Sequence, residues 1–306
     1  MTIRLFDGHC DTAFELYRRK QKLRENNCHI DLKRAGEYAS YAQVFAFCSL
    51  AGLQSSFGSP EDLLTKPLAY LRQEVSENSE HISFAASSVE VMRLHSLGKT
   101  AVLLSVEGAE VIGCEVNRLS ELYEQGFVMT TLTWNADNLL AGCHTSDLGL
   151  TCAGRDFVRE AQSLGLRIDV SHLSEFAFWD LVFMTNAPIL ASHSNCRTLC
   201  DHSRNLSDDQ LRAIAETGGT VGLNLYPPFL GQNADFSLLR SHLEHMLRLC
   251  GEKHVALGGD LDGCEVLVDG FSHVGDYRSF YSYLLEEGYP TPLLDDIFYH
   301  NLMRII

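Results

Sequence analysis

Long apolar runs are missing from this chain. Nowhere in its 306 residues do about 18 apolar residues follow one another, so no membrane-spanning helix is expected. The first residues carry no basic segment leading into an apolar stretch, and the last carry no anchor signal. A cytoplasmic protein without a leader is the expectation. Positive charge is scarce: 24 Lys and Arg stand against 40 Asp and Glu, a net charge of -16. That balance disfavours nucleic acid and anionic membrane as partners. Bound divalent cations would offset part of it, although an acidic surface also serves solubility alone. The ten cysteines include no CxxC pair, and the closest are Cys196 and Cys200. Scattered among apolar neighbours, they read as reduced core thiols rather than a disulfide framework. No Gly-rich loop follows the first apolar run, which argues against a doubly wound dinucleotide fold. No GxSxG elbow occurs.

What is present is a set of short apolar runs of strand length, at residues 3–6, 42–47, 101–106, 127–133, 166–170, 188–191, 219–225 and 255–259. They are rich in Val, Ile, Leu, Phe and Thr and do not alternate strictly, which is how strands covered on both faces read. Helical periodicity fills the gaps: residues 60–78 place Leu63, Leu64, Leu68 and Leu71 on one side, 174–184 carry Phe176, Phe178, Trp179 and Val182, and 235–250 carry Phe236, Leu239, Leu243 and Leu247. Ser207 and Gln210 form a capping-box signature at a further helix start. Strand and helix alternating eight times predict one domain over residues 1–306, a (β/α)8 barrel of TIM type. Residues 50–59 read as a long loop on the catalytic face.

Several runs end in a chemically capable residue. A parallel barrel gathers all its strand C-terminal ends on one face. The first run leads into Asp7-Gly8-His9-Cys10-Asp11, where alternation points His9 and Asp11 together. The third ends at Glu107, a carboxylate that must be paired, solvated or metal-bound because burying it bare is costly. The fifth and sixth end in Ser171-His172 and Ser192-His193. One such histidine is commonly a hydrogen-bonded core residue; two on neighbouring strands, beside an upstream His-x-Asp and a Glu, point to a shared zinc-type ion. Alternation turns each serine away from its histidine, against a serine nucleophile. The eighth run enters Gly258-Gly259-Asp260-Leu261-Asp262-Gly263, where spacing alone leaves Asp260 and Asp262 equivalent and the rest of a calcium loop is absent. Arg204, beyond the sixth run, suits a substrate carboxylate, though arginine also forms surface ion pairs.

In this order and spacing these strings, with Ser105-Val106-Glu107-Gly108, 191–197 and His202-Ser203-Arg204-Asn205, resemble the membrane (renal) dipeptidase family, peptidase family M19, of the amidohydrolase-like metal-dependent hydrolases. The likeness spans essentially the whole chain. It implies a binuclear site for two Zn2+ at the C-terminal ends of the strands, with His9 and Asp11 on one ion, His172 and His193 on the other, and Glu107 bridging. It implies Asp260 rather than Asp262 as the proton-handling residue, Arg204 as the anchor of a dipeptide's carboxylate, and Tyr226 as a substrate contact. The activity implied is hydrolysis of a small dipeptide by a hydroxide shared between the metals, and dimers common in the family make a homodimer an expectation.

The chain departs from the family at one point. Better-known members carry a histidine after Leu-Thr at the end of the fourth strand, whereas this chain has Leu132-Thr133-Trp134-Asn135. Indole offers one donor and no acceptor, so Trp134 is placed as a substrate contact of different character, with Asn135 or His144 available for the missing one. Two other readings stand beside a zinc dipeptidase. One is a related hydrolysis of an N-acyl amino acid, cyclic amide or β-lactam; Glu107 on the third strand, in place of a carboxylated lysine after the fourth, favours the dipeptidase branch. The other is a metal- or ligand-binding barrel whose activity has lapsed.

Overall fold

All eight apolar runs become strands of one parallel sheet in the computed structural model, which describes residues 3–50 and 58–306. Residues 51–57 of the expected loop at 50–59 lie outside the described residues. The strands are β1 (Arg4–Cys10), β2 (Ser40–Cys48), β3 (Ile82–Phe84), β4 (Thr100–Glu107), β5 (Phe127–Thr131), β6 (Arg167–Asp169), β7 (Leu190–Ala191), β8 (Thr220–Leu223) and β9 (Val255–Leu257). Neighbours run β2-β1-β9-β8-β7-β6-β5-β4, and pairing of β2 with β4 closes the ring. The result is an eight-stranded parallel barrel with surrounding helices. The short β3, which no apolar run announced, stands outside the ring. It pairs with residues 100–102 of β4, and β5 takes over β4 from Leu104 onward.

The expected helices form where their caps lie. Ser59 and Asp62 close a capping box on Pro60–Glu77, and Ser207 and Gln210 close another on Asp208–Glu216. Ser174 caps Glu175–Met184, and Asp235 caps Phe236–Cys250. One side chain departs from its expected face: Phe178 is buried, but Phe176 is 58% exposed. Phe183, one heptad beyond Phe176, is 84% exposed, so this helix is apolar on two stripes and only one faces the barrel. All ten cysteines are free, and most are buried.

Side-chain parity along the strands separates two cores. On β4, Val102, Leu104 and Val106 join the large cluster between barrel and helices, while Ala101 and Leu103 join a smaller one inside the barrel. The inner row of β4 continues through Ser105 to Glu107, which therefore points into the barrel mouth. The floor of the barrel is filled from below by Tyr299, Leu302 and Ile305. On β1 the pairing with β2 slips by one residue between Asp7 and Cys10. This bulge re-aims the strand end, sending Cys10 to the outer core and leaving His9 toward the mouth.

Close approach of three strands fixes two glycines. A Cβ on Gly258 would lie 1.6 Å from the carbonyl oxygen of Ser192, and one on Gly222 would lie 2.0 Å from the same atom. Neither leaves room for a methyl group. Gly258→Ala is therefore expected to destabilise the fold by about 2 kcal/mol or more through overpacking. Urea denaturation checks this, and an unchanged midpoint would contradict the packing described.

Candidate metal centre and substrate cavity

Five strand ends deliver the candidate ligands. His9 comes from β1, and Asp11 caps the helix that follows. Glu107 is the last residue of β4, His172 and His193 lie just past β6 and β7, and Asp260 lies just past β9. His172 and Asp260 have left-handed backbone, with φ of 72° and 56°. A residue with a Cβ adopts that conformation at an energetic cost, and such strain gathers where a side chain must be aimed.

The two oxygens of Glu107 face different partners. Its Oε1 lies 2.8 Å from His172 Nε2 and 3.4 Å from His193 Nε2. Its Oε2 lies 3.6 Å from His9 Nε2, which in turn is 3.8 Å from Asp11 Oδ2 and 3.9 Å from Asp260 Oδ1. The donors fall into two overlapping sets, His9, Glu107 and His193 in one and His9, Asp11 and Asp260 in the other.

Hydrogen-bond accounting tests whether cations fit here. Glu107 Oε2, His9 Nε2 and Asp11 Oδ1 are buried and have no hydrogen-bond partner among the described residues. His172 Nε2 and His193 Nε2 approach to 3.1 Å. The Nδ1 of His172 faces the carbonyl-type oxygen Asn135 Oδ1 at 2.8 Å, so it carries the proton and leaves Nε2 bare. Burial, then Arg204, holds the pKa of His172 down to about 3, and burial with His9 holds His193 well below its ordinary value. Both are neutral imidazoles, the form that binds metal. Bare nitrogens and unpartnered carboxylate oxygens converging in this way suit divalent cations.

Protons take part of that role in the absence of metal. Burial opposes a charge on His9, yet Glu107 and Asp11 raise its pKa well above the usual range. Burial also opposes ionisation of Glu107, but the positive charge of His9 holds its pKa well below the usual carboxylate range. Burial, reinforced by Glu107, pushes Asp11 up to about 7.

A cavity of about 430 Å³ opens over this cluster. Asp11, Glu107, His172 and Asp260 line it together with Arg204, Tyr226, Trp134, Asn135 and His144. Arg204 is only 5% exposed. Its guanidinium stacks over Phe229 at 5.4 Å and makes no ion pair among the described residues. Trp134 and His144 both pack against the His172 ring, at 6.2 Å. The structure thus brings every predicted site residue to one mouth, and it separates the two aspartates that spacing left equivalent. Asp260 faces the ligand set, with Oδ1 3.9 Å from His9 Nε2, and accepts from Asn224 Nδ2 at 3.2 Å. Asp262 is spent on structure, accepting from Thr12 and from the His29 backbone at 2.8 Å. Left-handed φ at both residues breaks the alternation that made them look alike.

The reading of the serines is also corrected. Ser192 is not turned away from its histidine: its Oγ lies 2.7 Å from His193 Nδ1. Three further residues escaped the sequence reading. Asp7, whose carboxyl burial pushes up, accepts from the backbone N–H of His9 at 2.9 Å and of Gly259 at 3.1 Å, and from Tyr277. Asp169 receives two backbone N–H groups, and Asn224 holds Asp260. Their available signal was a polar residue embedded in or beside an apolar run.

The family model for membrane dipeptidase, peptidase family M19, matches residues 1–306. An uncharacterized protein in the pqqA 5' region of Klebsiella pneumoniae is 32% identical, over 81% of this chain and 97% of its own length. An uncharacterized dipeptidase of Schizosaccharomyces pombe is 33% identical, over 66% of this chain and 52% of its own length. Among solved structures, a metallo peptidase from Rhodobacter sphaeroides, liganded with a phosphinate mimic of the dipeptide L-Ala-D-Ala, is 26% identical. It superposes with a TM-score of 0.90 over 100% of this chain and 99% of its own. Among the described residues no helix is long and apolar enough to cross a membrane.

The proton inventory gives a pH dependence. Ligands must be deprotonated to bind metal. Asp11, at about 7, and His9, raised well above its ordinary value by Glu107 and Asp11, are protonated on the acid side. Metal affinity is therefore expected to rise as pH increases through about 7, with protons released on binding. Calorimetric titration in buffers of different ionisation enthalpy counts those protons, and an affinity unchanged between about pH 6 and 8 would contradict the assignment.

Proposed function

We propose a zinc-dependent dipeptidase: the chain belongs to the membrane dipeptidase family, peptidase family M19, and is an enzyme of the metallo-dipeptidase type. The observation that carries the finer reading is Arg204. It is buried without a counter-ion among the described residues, in the same cavity as a ligand set divided between the two oxygens of Glu107. A buried guanidinium calls for an anion, and a planar carboxylate accepts two parallel bonds from it. A dipeptide meets that demand with its free carboxylate. The phosphinate dipeptide mimic held by the Rhodobacter sphaeroides relative supports the same class of ligand.

His9 and Asp11 would hold one zinc and His172 and His193 the other, with Glu107 shared between them. Bound zinc supplies Lewis acidity, lowering the pKa of a water toward neutrality and stabilising negative charge on the carbonyl oxygen. The chain's own residues do the rest. Arg204 fixes the C-terminal carboxylate and so limits the substrate to very short peptides. Asp260 Oδ1 faces the ligand set while Oδ2 is held by Asn224. Oδ1 is thus placed to take the proton of the attacking water and return it to the leaving amine. Tyr226 and Trp134 wall the cavity, and the Trp134 indole can donate one hydrogen bond. Asn135, by orienting His172, serves the metal side as well as the substrate.

Two substitutions separate these roles. Asp260→Asn should lower kcat by about 100-fold to 10,000-fold with zinc content retained. Arg204→Met should raise KM for dipeptides by roughly 10-fold to 100-fold, the worth of bonds to a charged group, and leave C-terminally amidated dipeptides unaffected. A panel of dipeptides, N-acyl amino acids and β-lactams, assayed with zinc-loaded protein, tests the substrate class. Folded, zinc-loaded protein that cleaves no dipeptide would overturn this reading.

A further inference from the structure

Ser192 lies at the junction of a carboxylate and two imidazoles. It is fully buried, and its backbone is clamped between Gly222 and Gly258. Its Oγ meets Asp169 Oδ2, His193 Nδ1 at 2.7 Å and His9 Nδ1 at 3.5 Å. The Ser171 hydroxyl, also 3.5 Å away, is engaged by the backbone N–H of His193 at 3.2 Å. A serine hydroxyl has one proton and two lone pairs. Asp169 Oδ1 already accepts the backbone N–H of Ser171 at 3.0 Å and of Ser192 at 2.9 Å. The carboxylate is acting as an acceptor on that side, so the Ser192 proton goes to Oδ2. Two lone pairs remain, and only donors can use them. The Ser171 hydroxyl keeps its own proton and competes with His9 Nδ1 for one lone pair at 3.5 Å, so the close partner at 2.7 Å, His193, directs its Nδ1–H at the other.

We infer that Ser192, anchored by Asp169, is a positioning residue that sets the tautomer of His193 and the orientation of His9 through one shared hydroxyl. With the proton on Nδ1, His193 turns a bare Nε2 toward Glu107 at 3.4 Å. His9 presents its Nε2 to the other oxygen of Glu107 at 3.6 Å. A single hydroxyl thus couples the two halves of the ligand set from behind, and the rings it governs lie with centroids 3.8 Å apart, tilted by 34°. Complete burial removes Ser192 from any nucleophilic role. Its effect on zinc binding rests on the metal-centre reading above, whereas the tautomer of His193 belongs to the metal-free chain and does not.

The test compares wild type, Ser192→Ala, Ser192→Thr and Asp169→Asn. Long-range proton–nitrogen NMR of histidine-labelled, metal-free protein reports the His193 tautomer, and chelator competition reports zinc affinity. Wild type should show Nδ1–H on His193. Ser192→Ala should weaken zinc binding by on the order of 10-fold to 100-fold, the usual effect of losing a ligand's supporting partner, and Ser192→Thr should restore it. In Asp169→Asn the amide can donate to Ser192, freeing its hydroxyl to donate to His193 Nδ1 and moving the ring proton to Nε2, with a similar loss of zinc. A merely structural role predicts lower thermal stability with zinc affinity and tautomer unchanged in the folded protein, and that result overturns the inference. An Nε2–H signal in wild type overturns it as well. If Ser192→Ala does not fold, Asp169→Asn and the wild-type tautomer decide. If wild type binds no zinc yet shows Nδ1–H on His193, the metal-centre reading fails and the positioning of His193 stands.

Discussion

A carboxylate sealed inside the barrel mouth is the constraint on which the rest of this structure turns. Glu107 is 3% exposed, and an ion of its kind taken from water loses several kcal/mol of solvation. The fold answers with positive or polarisable partners on both sides. His172 and His193 meet one oxygen, and His9 meets the other. Each of those rings is then oriented from outside the cluster, His172 by Asn135 and the other two by Ser192. The outward chain of dependence ends on Asp169, Asp7 and Asn224, whose own bonds run largely to backbone.

Much of this was legible in the sequence because strand ends in a parallel barrel are forced together. Eight apolar runs gave eight barrel strands, and polar residues at their C-terminal ends marked the mouth. Fine geometry was not legible, for a local reason. Alternation assumes extended backbone, and the residues that matter most leave it. His172, Asp260 and Asp262 have left-handed φ, and β1 bulges before His9. Face assignments by period two therefore left Asp260 and Asp262 equivalent. Phe176 was misjudged for another reason: its helix is apolar nearly all round, so hydrophobicity alone does not say which stripe is inside.

Buried polar residues were the harder half. Asp7, Asp169 and Asn224 sit in or beside apolar runs, where a sequence reading tends to count them as interruptions. Their burial is tolerable because each is hydrogen-bonded to backbone N–H or carried by a neighbouring amide, and those partners come from strands distant in the chain. Asp7 joins β1 to the segment after β9 and to Tyr277. No local pattern could have announced such a bond.

The barrel floor has a consequence for biosynthesis. Tyr299, Leu302 and Ile305 complete the inner packing beneath Phe6 of β1 and Ala256 of β9. Strand β1 therefore waits for residues far later in the chain before its inner face is covered. Until then an incomplete sheet exposes apolar surface and unpaired edges, the kind of transient species that holdase chaperones bind. Vectorial synthesis can shape the intervening β-α units, but ring closure waits for β9.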